Sequence, residues 1–552
     1  MISAAAPASL HAAYEKHALL TRNTSIYSDP TRFWGHDETH RIYIIIDLKS
    51  FYASVECVER GLDPMTAKLV VADPTRGEGT ICLAVSPALK KMGVKNRARI
   101  YEIPKGIDYI TAPPQMAHYE ECSAEIYGVY LQYFSKEDIH VYSCDESFID
   151  VTDYLDMYEM TPKQLGVEVM NAILDRTGIR SSCGIGTNLY LAKIALDITA
   201  KHAPDFIGIL DEDRYRELLW DHRPITDFWM VAGGRSRRLA SMGLFTMHDI
   251  ARAAMINDDA LYKAFGVDAE ILIDHAFGVE TVGMKDIKGY RSRGRSLSQG
   301  QVLLRDYSYE EAEVVIKEMA DQLCLQMTQK QVQTDTISFF VSYSHDFRDR
   351  DGLPAFYTGG TVHTRHHTAS AVIWKKRVGE AYRITTRQDA PIRRIGLSCP
   401  IREAGSVCWQ YSMFDENGDL SADLEKDLRR QETEQALQTS VLSLKSRFGK
   451  NAVLKGLNLE QAGTMMERNC QIGGHKAGTM DRCLAEKLRR EGRAMLPREG
   501  GKNLRTPLSA AARDDGRDLQ AARSAAARES ERNQRTVRPA AARDGGKNLR
   551  GA

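Results

Sequence analysis

Apolar and polar positions divide the first part of the chain into a buried strand and an amphipathic helix. Residues 42–46 form a continuous apolar run, which is typical of a strand buried on both faces. Apolar positions then recur at helical spacing from Phe51 to Leu62. This spacing predicts a helix whose opposite face, with Glu56 and Glu59, is solvated.

The segments that follow continue to alternate between strand and helix. A Ser-Pro pair at positions 86 and 87 opens a short helix, since proline is well tolerated in a first helical turn. Apolar runs predict strands at 69–71, 81–85 and 182–186, and helical periodicity predicts helices at 117–134 and 162–176. The order of elements predicts a split βαββαβ sheet with helices on one face.

The pattern changes in the middle of the chain. A basic helix at 235–242 and a capping box from Thr246 to Asp249 indicate a helix-hairpin-helix, whose backbone amides can bind phosphate. An ordinary two-helix turn explains this local pattern equally well. A second α/β region is predicted at about 290–405, with strands at 336–343, 361–374 and 392–399. Helical periodicity returns at 421–448 and 459–470.

Composition limits the class of protein. The 552 residues suffice for about three or four domains. Lys and Arg together number 74, as do Asp and Glu, so nucleic-acid binding would depend on local basic faces. Ten cysteines without CxxC pairs, no signal peptide and no apolar run near the ~18 residues of a membrane span predict a cytoplasmic protein without a membrane segment. No zinc site is predicted, because the Cys and His spacings match no standard one.

A pair of adjacent acids suggests the chemistry. Asp145 and Glu146 stand between two short runs rich in β-branched and aromatic residues, which predicts a hairpin that presents both carboxylates. Adjacent carboxylates repel one another, and a bound cation relieves that repulsion. Asp47 follows the first apolar run and supplies a third carboxylate. We therefore predict a divalent-metal site for nucleotidyl transfer, with a solvated acidic turn as the alternative.

Three segments in order resemble the Y-family of lesion-bypass DNA polymerases, and most closely its UmuC-like branch in Gram-positive bacteria. They are 47–56, 142–150 and 191–195, and the likeness extends over about residues 41–475. The resemblance implies an α+β right-hand fold. Its expected parts are an N-terminal extension (1–40), a ferredoxin-like palm (41–50 and 117–208), fingers (51–116), a helix-hairpin-helix thumb (209–284), an α/β little finger (285–405), a C-terminal segment (406–485) and a disordered tail (486–552).

The resemblance also implies a metal site. Asp47, Asp145 and Glu146 would be the catalytic residues, and together with the Leu48 carbonyl they would bind two Mg²⁺ ions. Tyr52 matches the steric gate that excludes a ribonucleotide 2′-hydroxyl.

Further side chains are expected around the nucleotide. Phe51 fits either the nucleotide pocket or the core. Lys90 and Lys201 are expected at the triphosphate, although the spacing from Lys193 to Lys201 is one residue longer than in some branches. Many relatives have a tyrosine where this chain has Pro87. The phosphate contact of that tyrosine is therefore either missing or supplied by Ser86.

The expected partners are primer-template DNA, deoxynucleoside triphosphates and the bacterial sliding clamp, with the protein itself a monomer. Thumb and little-finger arginines would bind the DNA backbone, although the thumb departs from the family pattern at Ala232. Residues 410–414 look like a clamp-binding pentapeptide. The residues concerned are Arg235, Arg237, Arg291, Arg293 and Arg295 for DNA, and Gln410, Met413 and Phe414 for the clamp.

The predicted function is template-directed translesion DNA synthesis in DNA damage tolerance and repair, as part of an SOS response. Two alternatives remain open. One is a non-catalytic scaffold that binds the clamp and DNA, which the complete set of three acids argues against. The other is a nucleotidyl cyclase, which shares the palm and the two-metal site but has no use for a thumb or a little finger.

Overall fold

The computed structural model describes residues 41–291, 294–348, 352, 356–404 and 420–478. The predicted N-terminal extension, clamp-binding motif and tail lie outside these residues. Within the described ranges, no helix combines the length and the apolar character that crossing a membrane requires.

A five-stranded sheet forms the centre of the N-terminal half. Its strands, in spatial order, are β5 (Ile139–Val141), β6 (Glu146–Asp150), β1 (Tyr43–Leu48), β7 (Ser181–Gly186) and β8 (Ile207–Leu210). Strand β1 is antiparallel to both of its neighbours, and residues 42–46 are almost completely buried, as the apolar run predicts.

Helices cover both faces of this sheet, so the prediction of helices on one face is wrong. Ile44 and Ile46 pack with apolar residues of α3 (Met116–Tyr133) and α5 (Pro162–Thr177). Tyr43 and Ile45 pack on the opposite face, against α6 (Leu189–Ile194). Two further helices, α1 (Phe51–Glu59) and α4 (Thr152–Tyr158), belong to the same half of the chain.

A smaller sheet lies between β1 and α3 in sequence. Its order is β3 (Ala84–Val85), β2 (Leu69–Val71) and β4 (Ile110–Ala112), and it is accompanied by the short helix α2 (Pro87–Lys91). The strand predicted at 81–85 is shorter than expected. Ile81 forms only an isolated bridge with Arg99.

The middle of the chain is helical. The helices are α7 (Glu212–Leu219), α8 (Gly233–Ser241), α9 (Met247–Ile256), α10 (Asp259–Phe265), α11 (Asp268–Phe277) and α12 (Met284–Gly289). The capping box that opens α9 is confirmed, because the Asp249 amide donates to Thr246 Oγ1 at 3.0 Å and the Thr246 amide donates to Asp249 Oδ2 at 3.1 Å.

A four-stranded antiparallel sheet organises the next region. Its order is β11 (Tyr357–Thr368), β10 (Val332–Tyr343), β12 (Ile392–Pro400) and β9 (Ser296–Tyr307), and the short β13 (Arg402–Glu403) pairs with β10. Helices α13 (Tyr309–Gln329) and α14 (Ala371–Thr385) pack against it. The strand predicted at 361–374 ends at Thr368, because Ser370 caps α14 and Trp374 is buried inside that helix.

The last described region contains one long helix followed by several short elements. They are α15 (Leu420–Phe448), a 3₁₀ turn at Gly456–Leu459, α16 (Met465–Asn469), β14 (Gln471–Ile472) and β15 (His475–Lys476). The helix predicted at 421–448 is confirmed. The one predicted at 459–470 is limited to α16.

Candidate active site

Strand register brings the three predicted acids to one edge of the central sheet. Asp47 on β1 stands directly opposite Glu146 on β6. The Leu48 amide donates to the Asp145 carbonyl at 2.9 Å, which fixes the turn before β6 against the end of β1. Residues almost 100 positions apart in sequence therefore form one acidic cluster.

The electrostatics of Asp47 show how close these charges are. The pKa of Asp47 is raised to about 7, first by burial and then by the negative charges of Asp145 and Glu146. The positive charge of Lys193 opposes this shift. An additional cation would favour the ionised form of Asp47 in the same way.

Lys193 forms a buried ion-pair cluster with two carboxylates. Its Nζ lies 2.6 Å from Glu146 Oε1 and 3.2 Å from Asp197 Oδ2. Burial raises the pKa of Glu146 against the opposing effect of Lys193. Burial alone would lower the pKa of Lys193, but Asp197 and Glu146 outweigh it and the pKa is raised. Sequence reasoning gave Lys193 no role at the site, because no local pattern indicates which carboxylate a lysine pairs with.

The donor set is suited to a hard divalent cation. Carboxylate and carbonyl oxygens are the ligands that Mg²⁺ prefers. Across the described part of the chain, no three Asp, Glu, His or Cys side chains already surround a common point closely enough to hold a metal ion. Lys193 engages Glu146, and Ser143 Oγ donates to Asp145 Oδ1 at 2.7 Å. A cation would therefore compete with Lys193 and Ser143 for these oxygens.

Tyr52 lies next to the acidic hairpin and is half-buried. Its hydroxyl is 3.1 Å from Cys144 Sγ, and its ring stacks on Tyr119 with centroids 4.5 Å apart and an interplanar angle of 16°. Cys144 thus packs beneath the hairpin against the tyrosine.

Glu56 is buried, so the prediction that it is solvated is wrong. It accepts hydrogen bonds from Tyr119, Gln115 and Arg60. Three partners satisfy a carboxylate that would otherwise be costly to bury. Two of them, on α3 and just before it, are about 60 positions away in sequence.

Two predicted nucleotide contacts point into the protein instead. Phe51 is 2% exposed and packs in the core, which supports the core alternative. Ser86 is fully buried, and its Oγ accepts the Leu69 amide at 3.1 Å. The assignment of Ser86 to the triphosphate is therefore wrong, because its buried hydroxyl bonds to the backbone of β2 in the small sheet.

Three lysines converge beside the acids. Lys90 Nζ donates to Ser50 Oγ at 2.9 Å, and the exposed Lys201 lies 3.6 Å from Asp197 Oδ1. Lys49, which sequence reasoning missed, places its Nζ 4.1 Å from the ring centre of Phe206. Partial removal from water is the main cause that lowers the pKa of Lys49 and of Lys90, and repulsion from Lys201 lowers both further. Such a cluster favours an anionic ligand.

The longer spacing before Lys201 has a structural explanation. Residues Ala195–Ala200 form a π-helical segment directly after α6. A π-helix accommodates one extra residue within a helix. The longer spacing of this chain is therefore absorbed without breaking the helix that leads to Lys201.

The predicted DNA-binding arginines lie in two regions of the chain. Arg235 and Arg237 are on α8, where Arg235 pairs with Asp268 at 2.7 Å and Arg237 is exposed. Arg291 and Arg295 are exposed beside the connection to β9. Arg293, Gln410, Met413 and Phe414 lie outside the described residues.

Known proteins with the same sequence features identify the family. A profile of the impB/mucB/samB family matches residues 46–197, and a profile of that family's C-terminal domain matches residues 295–400. The chain is 28% identical over 444 residues to the "Putative UV-damage repair protein UvrX" of Bacillus subtilis strain 168, covering 79% of this chain and 97% of that protein.

Two further relatives come from the same organism. The chain is 28% identical over 443 residues to the protein named "DNA polymerase IV 2", covering 79% of this chain and 98% of that protein. It is 40% identical over 103 residues to "DNA repair protein homolog YozK", covering 18% of this chain and 90% of that protein. The chain belongs to the impB/mucB/samB family, the Y-family of DNA polymerases, and the predicted family and right-hand fold class are confirmed.

Proposed function

We propose that this protein is a DNA-directed DNA polymerase that extends a primer across damaged template bases in DNA damage tolerance and repair. The observation that carries the proposal is the register of β1 and β6. It sets Asp47 opposite Glu146 and brings Asp145 to the same edge of the sheet. Nucleotidyl transfer depends on positioning and charge neutralisation, and these carboxylates would hold the cations that supply both.

The acidic edge would hold two Mg²⁺ ions through Asp47, Asp145, Glu146 and the Leu48 carbonyl. Bound Mg²⁺ would activate the primer 3′-oxygen and stabilise the leaving pyrophosphate. The protein side chains position the oxygen donors. Lys193 opposes the rise in the pKa of Glu146 that burial causes, and its ion pair positions that carboxylate.

The incoming nucleotide would lie between the acids and the lysines. Lys90 and Lys201 bind the triphosphate, and Lys49 adds a third positive charge beside them. Tyr52 stands under the sugar as the gate against a 2′-hydroxyl, since its ring is fixed by Tyr119.

The proposal retains the palm, fingers, thumb and little finger with the boundaries predicted from the sequence. In this assignment the thumb and little-finger arginines bind the DNA backbone without reading its sequence, so affinity should fall steeply with salt. We further propose a cytoplasmic monomer that binds the bacterial sliding clamp through Gln410, Met413 and Phe414.

Primer extension with the purified chain tests the proposal. The wild-type protein should extend a primer past an abasic site in the presence of Mg²⁺, and a sliding clamp should increase extension. Asp145→Asn should abolish extension while leaving primer-template affinity intact. The matched control is Asp153→Asn, an exposed acid in the first turn of α4, which should retain full activity.

The control outcomes separate the alternatives. Full activity in Asp145→Asn would overturn the assignment of the acids. A wild-type protein that binds DNA and the clamp but never extends a primer would instead be a scaffold.

A further inference from the structure

A C-terminal strap, defined as residues 429–478, joins regions of the chain that are far apart in sequence. It starts on α15, passes α13, and ends in the hairpin of β14 and β15. Its two ends contact different domains, which are the little finger at one end and the fingers with the palm helix α3 at the other.

The first anchor is one face of α15. Three polar side chains spaced three and four residues apart lie on that face. Each bonds to a residue of the little finger: Thr368 Oγ1 donates to Gln431 Oε1 at 2.8 Å, Ser370 Oγ donates to Glu434 Oε2 at 2.5 Å, and Thr328 Oγ1 donates to Gln438 Oε1 at 2.5 Å.

The second anchor satisfies a buried acid of the little finger. Glu318 on α13 is fully buried. Its oxygens accept hydrogen bonds from Asn458 Nδ2 and from the Thr464 amide, both at 2.8 Å. Lys455 Nζ lies 2.6 Å from Asp321 on the same helix. Because a buried carboxylate without partners is costly, this half of the strap is part of the fold of the little finger.

The far end docks on the fingers. Gly473 and Gly474 have φ angles of 58° and 83°, which a tight two-residue hairpin turn requires. Lys476 Nζ lies 2.7 Å from Asp73 Oδ1, and these side chains are only 16% and 6% exposed. Arg76 donates to the Gly474 carbonyl at 2.8 Å. The contact therefore combines a largely buried ion pair with a hydrogen bond from Arg76 to the backbone of the hairpin.

The strap also caps a palm helix. The side chain of Gln115, the residue before α3, makes no cap hydrogen bond. The Ala477 carbonyl accepts the Ala117 amide at 2.9 Å and satisfies one of the free amides at that helix end. Gly478 has a φ of 89°, and a Cβ there would lie 2.9 Å from the Cβ of Gln115. Only glycine fits this junction without a shift.

We propose that the strap is a positioning element that fixes the little finger to the fingers and to the first turn of α3. A second attachment restricts movement of the little finger relative to the thumb. Because the little finger is already restricted before binding, it loses less conformational entropy when it binds DNA. The structural part stands by itself, whereas the effect on DNA affinity rests on the proposed function.

Two substitutions should disrupt the contact of the strap with the fingers and α3, here called the dock, without changing any residue of the little finger. Gly478→Val collides with Gln115, and Lys476→Met removes the charge opposite Asp73. The matched control is Gln461→Ala, an exposed strap residue.

Hydrogen-exchange mass spectrometry on the full chain should show faster exchange at 115–119 and 471–478 in both variants. Primer-template Kd, measured by fluorescence anisotropy, should rise by at least about fivefold, the lower end typical of coupled sites. Single-turnover rates at saturating DNA should stay unchanged.

Each outcome of these experiments tests a different part of the proposal. Unchanged exchange in both variants would show that the dock does not form in solution and would overturn the proposal. Faster exchange with an unchanged Kd would overturn the role in DNA binding. A wild-type protein without DNA affinity would contradict the proposed function, and hydrogen exchange would still decide whether the strap docks.

Discussion

Tyr52 and Tyr119 stack at 4.5 Å with nearly parallel rings, although the strands of the small sheet, β2 to β4, lie between their helices α1 and α3 in sequence. Tyr119 is fully buried and bonds to Glu56, one turn beyond Tyr52 on α1. The orientation of the proposed sugar gate therefore depends on a tyrosine that does not touch the sugar. The pair would link helix α3 to the sugar selectivity proposed for Tyr52.

Replacement of Tyr119 by Leu should weaken sugar discrimination. Without the stacked ring, Tyr52 gains rotational freedom, and the ratio of kcat/KM for deoxy- over ribonucleotides should fall, although less than in Tyr52→Ala. Tyr133→Phe is the matched control, since Tyr133 lies on the same helix and the substitution keeps its ring but removes the exposed hydrogen bond of its hydroxyl to Glu168. Equal discrimination in Tyr119→Leu and the wild type would show that Tyr52 is held by other contacts.

Lys193→Met should destabilise the protein. The substitution leaves Glu146 and Asp197 without their shared cation, and breaking a buried pair of this kind costs about 3–5 kcal/mol. Urea unfolding measures the loss. Lys163→Met is the control because Lys163 pairs with Asp205 at the surface, where such a pair contributes at most about 1 kcal/mol. Similar losses in both variants would contradict a special role for the buried pair.

Local sequence patterns were sufficient where the relevant contacts are local. The helix from position 162, which Thr161 caps, and the capping box at Thr246 both depend on neighbours within a few residues. Helix α14 was missed because its first turn, Ala371 to Trp374, reads as a continuation of the preceding strand. Ser370, which caps it, was the available signal for a helix start.

Long-range partners explain the remaining errors. Glu56 looks solvated on a helical wheel, but Gln115 and Tyr119 bury it from another segment. Lys476 and Asp73 pair across 403 positions. The three acids could be grouped from sequence because Asp47 closes an apolar run, Asp145 and Glu146 stand at a predicted hairpin, and all three lie in the segments that resemble the family. No comparable rule exists for Lys193 or for the strap.

Magnesium affinity should depend on pH around neutrality. Asp47 has a pKa of about 7 in the metal-free protein, so below pH 7 a proton competes with the cation for this carboxylate. Apparent affinity should fall roughly tenfold per pH unit well below the pKa, as expected when binding displaces one proton, and should level off above it. Calorimetric titration with Mg²⁺ on either side of neutrality measures the effect. Equal affinities across that range would contradict the raised pKa.

Ser86→Ala and Lys90→Ala should separate folding from nucleotide binding. Ser86→Ala leaves the buried Leu69 amide without its acceptor, which should cost about 1–3 kcal/mol of stability and leave KM for the nucleotide unchanged. Lys90→Ala should do the opposite, because the exposed lysine contributes little to folding but places a positive charge near the triphosphate. Urea unfolding and steady-state kinetics on both variants check the contrast. An increased KM in Ser86→Ala would restore the serine to the nucleotide site, and an unchanged KM in Lys90→Ala would remove the lysine from it.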